Sequence, residues 1–329
     1  MNYPCPLFTF RIHRMTQGVT RLAPSPTGAL HLGNARTFVV NWLLARSHGW
    51  RVLLRVEDLD TPRTKPGAAT DAIEDLRWLG LSWDGEVLYQ SARHLVYQDA
   101  LEQLIAAGAA YPCTCSRKDV EQAGGAPHAE DGESVYPGLC RGRWASADHA
   151  AKKSGRPVSW RVHVADEPIA FRDAFAGERQ FNLAHTCGDF VIFRGDGTAA
   201  YQLAVVVDDA AAGVNQIVRG DDLLESAARQ THLRRLLGLA PEPTHWHLPL
   251  VVGGDGRRLA KRHGDTRLSH YRDGGTTSQR VLGLIGHWCG LLDRRREASM
   301  DELQAAFDPA RISRRQVVFT AADDAFLRS

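Results

Sequence analysis

The chain has 329 residues, with 40 Lys+Arg against 38 Asp+Glu, a formal net charge of +2, 43% hydrophobic and 24% charged residues. These values exclude global disorder, a collagen or coiled-coil rod and a disulfide scaffold, and no apolar run reaches the roughly 18–20 residues of a bilayer span, so no membrane partner is expected. At this length single cores stop growing, and two or three lobes are expected.

Met1–Gln17 has no basic stretch ahead of its short apolar patch Leu7–Phe10, so it reads poorly as a secretion signal. It is expected to be a disordered extension over residues 1–18, or to reflect a functional start at Met15, with a transit peptide as the alternative. Without a secretion signal the six cysteines are expected to be reduced, in the cytoplasm.

Val19–Ala23 reads as a β-strand that ends at the loop Pro24–Gly28, and a helix follows from about Asn34 to Ser47, with Phe38, Trp42 and Ala45 at helical spacing. Gly49 stops it. Arg51–Glu57 reads as a buried parallel strand and Gly67–Leu79 as a second helix. This alternation predicts an α/β parallel sheet with crossover helices. After an amphipathic helix over Ser91–Ala107, residues 111–200 hold clustered cysteines, the low-complexity stretch Gly124–Ser134 and β-like runs at Val158–Val164 and Phe190–Arg194. They read as a lobe inserted between two sheet halves, 19–110 and 201–265. The second half reads as strands at Leu203–Val207, Ile217–Val218 and His247–Val252, with a helix over Leu223–Leu237. The tail, 266–329, reads as helical around Val281, Leu282 and Ile285, and residues 297–329 fit no motif. Residues 257–296 carry nine Arg and one Lys against three Asp, which is either a solvated face or a surface for a phosphate backbone.

The segment Arg21–Asn34 places a strand, a Pro/Gly turn and His31-Leu-Gly33-Asn34 at a helix start. A helix N-terminus presents free N–H groups and positive potential to a phosphate. Gly33 permits close approach of a nucleotide to the backbone, and His31 can donate to a phosphate oxygen as charge builds. Downstream, Arg258-Leu-Ala-Lys-Arg262 follows Gly253–Gly256, and a mobile loop of this kind can bring Lys261 onto β- and γ-phosphates. Arg21, Glu57, Tyr201 and Arg219 fall at ends of predicted strands, where open parallel sheets bind ligands. Glu57 suits an ammonium, Arg21 and Arg219 suit carboxylates, and Tyr201 can wall the pocket. Asp208 and Asp209 either cap a turn or face a ribose. Cys113-Thr-Cys115 with Cys140 offers three thiolates toward a structural zinc, with His128 as one candidate fourth ligand. The alternative is three free thiols. Cys187 and Cys289 are assigned to packing, and Cys5 to the extension.

The first segment resembles the HIGH signature of class I aminoacyl-tRNA synthetases in the form of the glutamate- and glutamine-specific group, with Asn34 where the second His usually sits. Arg258–Arg262 is similar to the KMSKS loop, with Arg258 for the first Lys and Ala260 for Ser. The resemblance implies a Rossmann-type catalytic domain with an inserted zinc-containing lobe and a short helical C-terminal tail. It implies His31 and Lys261 as catalytic residues and a glutamate site at Arg21, Ala23, Ser25, Glu57, Tyr201 and Arg219. It further implies an ATP site at Pro24, His31, Gly33, Asn34, Arg258, Leu259 and Lys261, Mg2+ with ATP, and zinc on Cys113, Cys115, Tyr136 and Cys140. About 67 residues follow Arg262, too few for complete stem-contact and anticodon-binding domains. That resembles the short branch of the group that transfers glutamate to queuosine in tRNA(Asp), which implies ATP, L-glutamate and queuosine-containing tRNA(Asp) as partners and glutamate activation without tRNA. A monomer is expected. A minimal synthetase charging the tRNA 3′ end and a non-catalytic RNA-binding paralogue remain alternatives.

Overall fold

A computed structural model describes residues 17–60, 64–124, 135–259 and 264–329. In chain order the first half runs β1 (Val19–Leu22), α1 (Leu32–Ser47), β2 (Arg51–Val56), α2 (Ala68–Trp78), β3 (Leu88–Tyr89) and α3 (His94–Ala106). Next come β4 (Ala110–Cys113), α4 (Arg117–Gly124), α5 (Ala147–Ser154), β5 (Ser159–Val162), β6 (Pro168–Asp173), β7 (Gly177–Asn182), α6 (Leu183–Thr186) and β8 (Val191–Phe193). The remainder is α7 (Tyr201–Ala211), β9 (Gln216–Gly220), α8 (Leu224–Leu236), β10 (Thr244–Leu248), β11 (Val251–Val252), α9 (Leu268–Asp273), α10 (Ser278–Trp288), α11 (Met300–Ala305), β12 (Val317–Val318) and α12 (Ala321–Arg328).

The expected α/β alternation forms a parallel sheet. β1, β2 and β3 pair in parallel, as do β9 and β10. Asn215 joins the two groups, accepting from the Val19 N–H at 2.8 Å and donating its own N–H to the Val19 carbonyl at 3.0 Å. α1 is buried along most of its length, so it packs between the sheet and α10 to α12 rather than on the surface. Asn41 on α1 donates to the Arg21 carbonyl at 3.0 Å and accepts from Thr20 at 2.9 Å, which pins β1 behind Arg21. β4, β5 and β8 form a separate antiparallel sheet that carries the cysteine cluster.

Three expectations need correction. Leu203–Val207 is not a strand but the middle of α7. Gln202 to Asp209 are all buried, so the helix shows no polar face, and a short continuous apolar run reads the same for a buried strand and a buried helix. The single strand expected over His247–Val252 is two, β10 and β11, separated by Pro249 and Leu250; Pro249 has no N–H for a ladder. The hairpin β6–β7 was not foreseen, and β6 pairs in parallel with β10, so part of 111–200 belongs to the main sheet. The tail is ordered against the core, with β12 parallel to β11 and Leu327 fully buried. Among the described residues no helix is long and apolar enough to cross a membrane.

Asp208 clamps α3 to α7. Its fully buried carboxylate accepts from Gln90 at 2.8 Å, Arg93 at 2.6 Å and Tyr97 at 2.8 Å. Replacing it with alanine orphans three donors, so Asp208→Ala is expected to lower unfolding stability by about 3 kcal/mol in a denaturant titration. A loss below about 1 kcal/mol would show that the clamp is not holding α3.

Candidate active site

The ends of β1, β2 and β9 and the first turns of α1 and α7 enclose a cleft of about 410 Å³. All six residues of the expected glutamate site line it: Arg21, Ala23, Ser25, Glu57, Tyr201 and Arg219. So do Pro24, His31, Gly33, Asn34 and Arg258 of the expected nucleotide site. Leu259 does not, because its side chain is buried in the main core. Ala260 to His263, and with them Lys261, lie outside the described residues, as do His128, Met15 and Cys5. Tyr201 reaches the cleft from the first residue of α7, not from a strand end, and burial beside Glu57 raises its phenol above the usual range.

Two guanidiniums and two carboxylates interlock behind the cleft. Asp209 Oδ1 accepts from Arg55 at 2.5 Å and from Arg21 Nε at 3.2 Å, and the other Arg55 nitrogen reaches Glu57 Oε1 at 3.0 Å. Asp209 is held below the usual carboxylate range: burial pushes it up, and Arg55 and Arg21 outweigh that. Asp208 and Asp209 therefore neither cap a turn through their side chains nor line the cleft. Arg219 is bonded differently. Its nitrogens donate to His247 Nε2 at 2.9 Å, Gln230 Oε1 at 2.9 Å and the Leu223 carbonyl at 3.3 Å, all neutral acceptors. Among the described residues these three arginines thus meet two carboxylates, and Arg219 is the one of the three without a carboxylate in contact. Arg55, His247 and Gln230 were missed from sequence. Arg55 alone left a signal, since it lies two residues before Glu57 on the same strand face.

His31 is the N-cap of α1. Its Nδ1 accepts from the Gly33 N–H at 3.1 Å and the Asn34 N–H at 3.4 Å, and Asn34 Oδ1 accepts from the His31 N–H at 3.1 Å. A neutral imidazole that accepts at Nδ1 carries its proton on Nε2. Burial, aided by Arg258, lowers this histidine to about 4. The Leu32 N–H donates to the Thr266 carbonyl and the Ala35 N–H to the His31 carbonyl. The first turn of α1 therefore has no free backbone N–H, contrary to the sequence expectation, and what it turns to the cleft are the side chains of His31, with its Nε2–H, and Asn34. Gly33 is required locally, because a Cβ there would stand 2.9 Å from the His31 ring. The basic loop is anchored on both flanks. Arg258 pairs with Asp222 at 2.8 Å, and beyond the loop Leu268 donates to the Leu30 carbonyl.

In the separate sheet, the Sγ atoms of Cys113, Cys115 and Cys140 lie within 4.8 Å of one another. Cys115 and Cys140 are 3.5 Å apart, and Tyr136 Oη stands 3.4 Å from Cys113 and 3.7 Å from Cys115. Tetrahedral zinc with thiolate and oxygen ligands has donor-to-donor edges of about 3.5–3.8 Å, so the set fits that ion. The Cys140 N–H donates to Tyr136 Oη at 2.9 Å, Arg161 donates to Cys113 Sγ at 3.3 Å, and the Arg161 guanidinium lies 3.7 Å from the Tyr136 ring centre. These donors suit an anionic cluster. Burial pushes the Cys140 thiol up, but hydrogen bonds led by the Thr114 backbone bring it down to about 7, whereas burial pushes the Cys115 thiol up to about 12 and the Tyr136 phenol above its usual range. Cys187 and Cys289 are buried.

The family model "tRNA synthetases class I (E and Q), catalytic domain" matches residues 18–322. A Glutamyl-Q tRNA(Asp) synthetase from Rhodopirellula baltica is 47% identical over 288 residues, covering 84% of this chain and 86% of its own length. One of the same name from Symbiobacterium thermophilum is 46% identical, covering 90% of this chain and 94% of its own. Among solved structures, the glutamate-tRNA synthetase of Elizabethkingia anophelis superposes with a TM-score of 0.80 at 26% identity, over 94% of this chain and 70% of that one.

The His31 geometry makes a pH prediction. A histidine lowered from 6.5 to about 4 on folding binds its proton more tightly in the unfolded chain, so its share of stability is present above pH 6.5 and lost as pH falls toward 4. His31→Gln is therefore expected to flatten the stability slope between pH 6.5 and 4 relative to the parent protein. Equal slopes in paired denaturant titrations would refute the buried neutral cap.

Proposed function

The chain belongs to the class I tRNA synthetases for glutamate and glutamine and is a ligase, and from that premise we propose that it activates L-glutamate with ATP and transfers it to queuosine in tRNA(Asp). The observation that carries the amino-acid assignment is the charge count. Counting only groups in direct contact, Arg21, Arg55 and Arg219 meet Asp209 and Glu57, an excess of one positive charge, with Asp173 set back behind His247. Glutamate, net −1 as a zwitterion, balances it, and neutral glutamine does not.

In this reading Arg219 and Arg21 hold the carboxylates, Glu57 faces the ammonium and Tyr201 walls the pocket, with Ser25 and Ala23 beside them. A glutamate carboxylate oxygen attacks the α-phosphorus of ATP, and the bond to the departing pyrophosphate breaks. The Nε2–H of His31 and the Lys261 ammonium stabilise phosphate charge as it develops, with Pro24, Gly33, Asn34 and Arg258 around the nucleotide. Mg2+ arriving with ATP would offset charge on the phosphates. The adenylate is then attacked by a hydroxyl of the queuosine cyclopentenediol, releasing AMP. Catalysis rests on positioning and charge. The queuosine assignment is supported by the names of relatives at 46–47% identity that align over most of their own length. The cysteines with Tyr136 would hold a structural zinc that ties the end of β4 to the segment 136–140 within the lobe.

Incubation with ATP, labelled glutamate and two tRNA pools tests this. Label is expected only on the pool that contains queuosine. Label in both pools would mean 3′-end charging, and no label together with no glutamate-dependent pyrophosphate exchange would leave an RNA-binding paralogue. For the metal, about one zinc per chain is expected by elemental analysis, absent in Cys140→Ser and held about tenfold or more weakly in Tyr136→Phe. Zinc-free wild-type protein of full stability would refute the site.

A further inference from the structure

Arg219 is aimed by a buried pair that does not line the cleft. Its Nε–H points at His247 Nε2, 2.9 Å away. Arginine only donates, so His247 must present a lone pair at Nε2 and carry its proton on Nδ1. His247 Nδ1 stands 2.6 Å from Asp173 Oδ2, which accepts that proton's hydrogen bond. Asp173 is itself fixed, because its Oδ1 accepts from the Phe175 N–H at 2.9 Å and the Ala176 N–H at 2.6 Å. Both side chains are fully buried. The parallel pairing of β6 with β10 is registered at Asp173 opposite His245, which sets Asp173 beside His247.

We infer that Asp173 and His247 are positioning residues for Arg219: Asp173 fixes the imidazole tautomer, and His247 then aims the guanidinium without contacting it with an anion. The inference deepens the reading above, in which Arg219 receives a substrate carboxylate. Arg21 makes the contrast, since it touches Asp209 directly and shares its charge. With the carboxylate set back by one imidazole, its attraction to Arg219 falls with distance. The guanidinium is oriented, yet a ligand carboxylate still finds it unpaired. This also gives the β6–β7 hairpin a role in the cleft it does not enter.

The test uses pyrophosphate exchange on the full chain. Asp173→Asn sets an amide N–H₂ against Nδ1, which moves the imidazole proton to Nε2 and turns a donor toward Arg219. A rise of about tenfold in KM for glutamate is expected, with kcat and the KM for ATP within about twofold, the pattern of lost ground-state binding. His247→Gln keeps one donor and one acceptor and is expected to stay within about threefold of wild type, while His247→Phe keeps the bulk alone and should behave like Asp173→Asn. An unchanged glutamate KM in Asp173→Asn, or equal values for the Gln and Phe variants, overturns the inference; the latter pair decides if Asp173→Asn fails to fold. Nitrogen-15 NMR of His247 reads the tautomer without activity. A protonated Nε2 in the wild type overturns the relay. A wild type with unprotonated Nε2 that is silent in exchange supports the relay geometry and strikes only the glutamate reading.

Discussion

The site depends on one buried carboxylate. Asp209 sits between the guanidiniums of Arg21 and Arg55. Three arginines converge where β1, β2 and β9 end, and like charges in a buried place repel strongly. Asp209, from behind and out of the cleft, together with Glu57 offsets two of them, and the third has no carboxylate in contact. Burying such a group costs stability unless the pairing is good, and the pairing here is bought with geometry: α7 must run as a helix, beginning at the cleft with Tyr201 and delivering Asp209 two turns later. Its neighbour Asp208, about 100° round the helix, serves a different purpose and locks α3. The two adjacent acids thus tie the sheet ends and the flanking helix to one element.

This explains what could be read from the sequence. That Arg21, Glu57, Arg219 and His31 share one cleft was legible because predicted strand ends and a helix start meet at one edge of a parallel sheet. α1 was legible from the helical spacing of Phe38, Trp42 and Ala45 ahead of the stop at Gly49. α7 was not, because Leu203–Val207 is a short continuous apolar run that reads alike for a buried strand and a buried helix. The second layer was not legible either. Asp209 meets Arg55 across 154 residues and His247 meets Asp173 across 74, and no local pattern encodes such pairs. Their partners become visible only when the parallel sheet sets strands side by side.

The α1 end of the cleft follows a different logic from a Gly-rich phosphate loop, in which backbone N–H groups cradle the anion. Here His31 occupies the helix's own donors through Nδ1, and Thr266 takes another. What the helix still offers is its dipole, and what reaches the cleft is a side-chain N–H whose tautomer the cap has fixed. A neutral histidine is then required. Protonation at Nδ1 would set two N–H groups of the first turn against a third donor. Capping therefore also fixes which proton this side chain turns to the cleft, and the flank beyond the basic loop is tied to the same turn through Thr266 and Leu268.

Charge in the basic segment after residue 256 is dispersed in a comparable way. Arg258, Arg267, Arg272, Arg280, Arg295 and Arg296 each hold a carboxylate, several of them contributed by distant parts of the chain such as Asp75, Asp222 and Asp323. Among the described residues, six arginines of the stretch are thus held in ion pairs, and three of these fasten the tail to α2, the β9 end and α12. A run of arginines along a sequence is not a positive surface until the fold has said which acids lie beside it. The same comparison gives Arg219 its weight. Among the described residues of the cleft, paired arginines hold the architecture together, and the buried arginine bonded only to neutral acceptors is the one with charge to offer an anionic ligand.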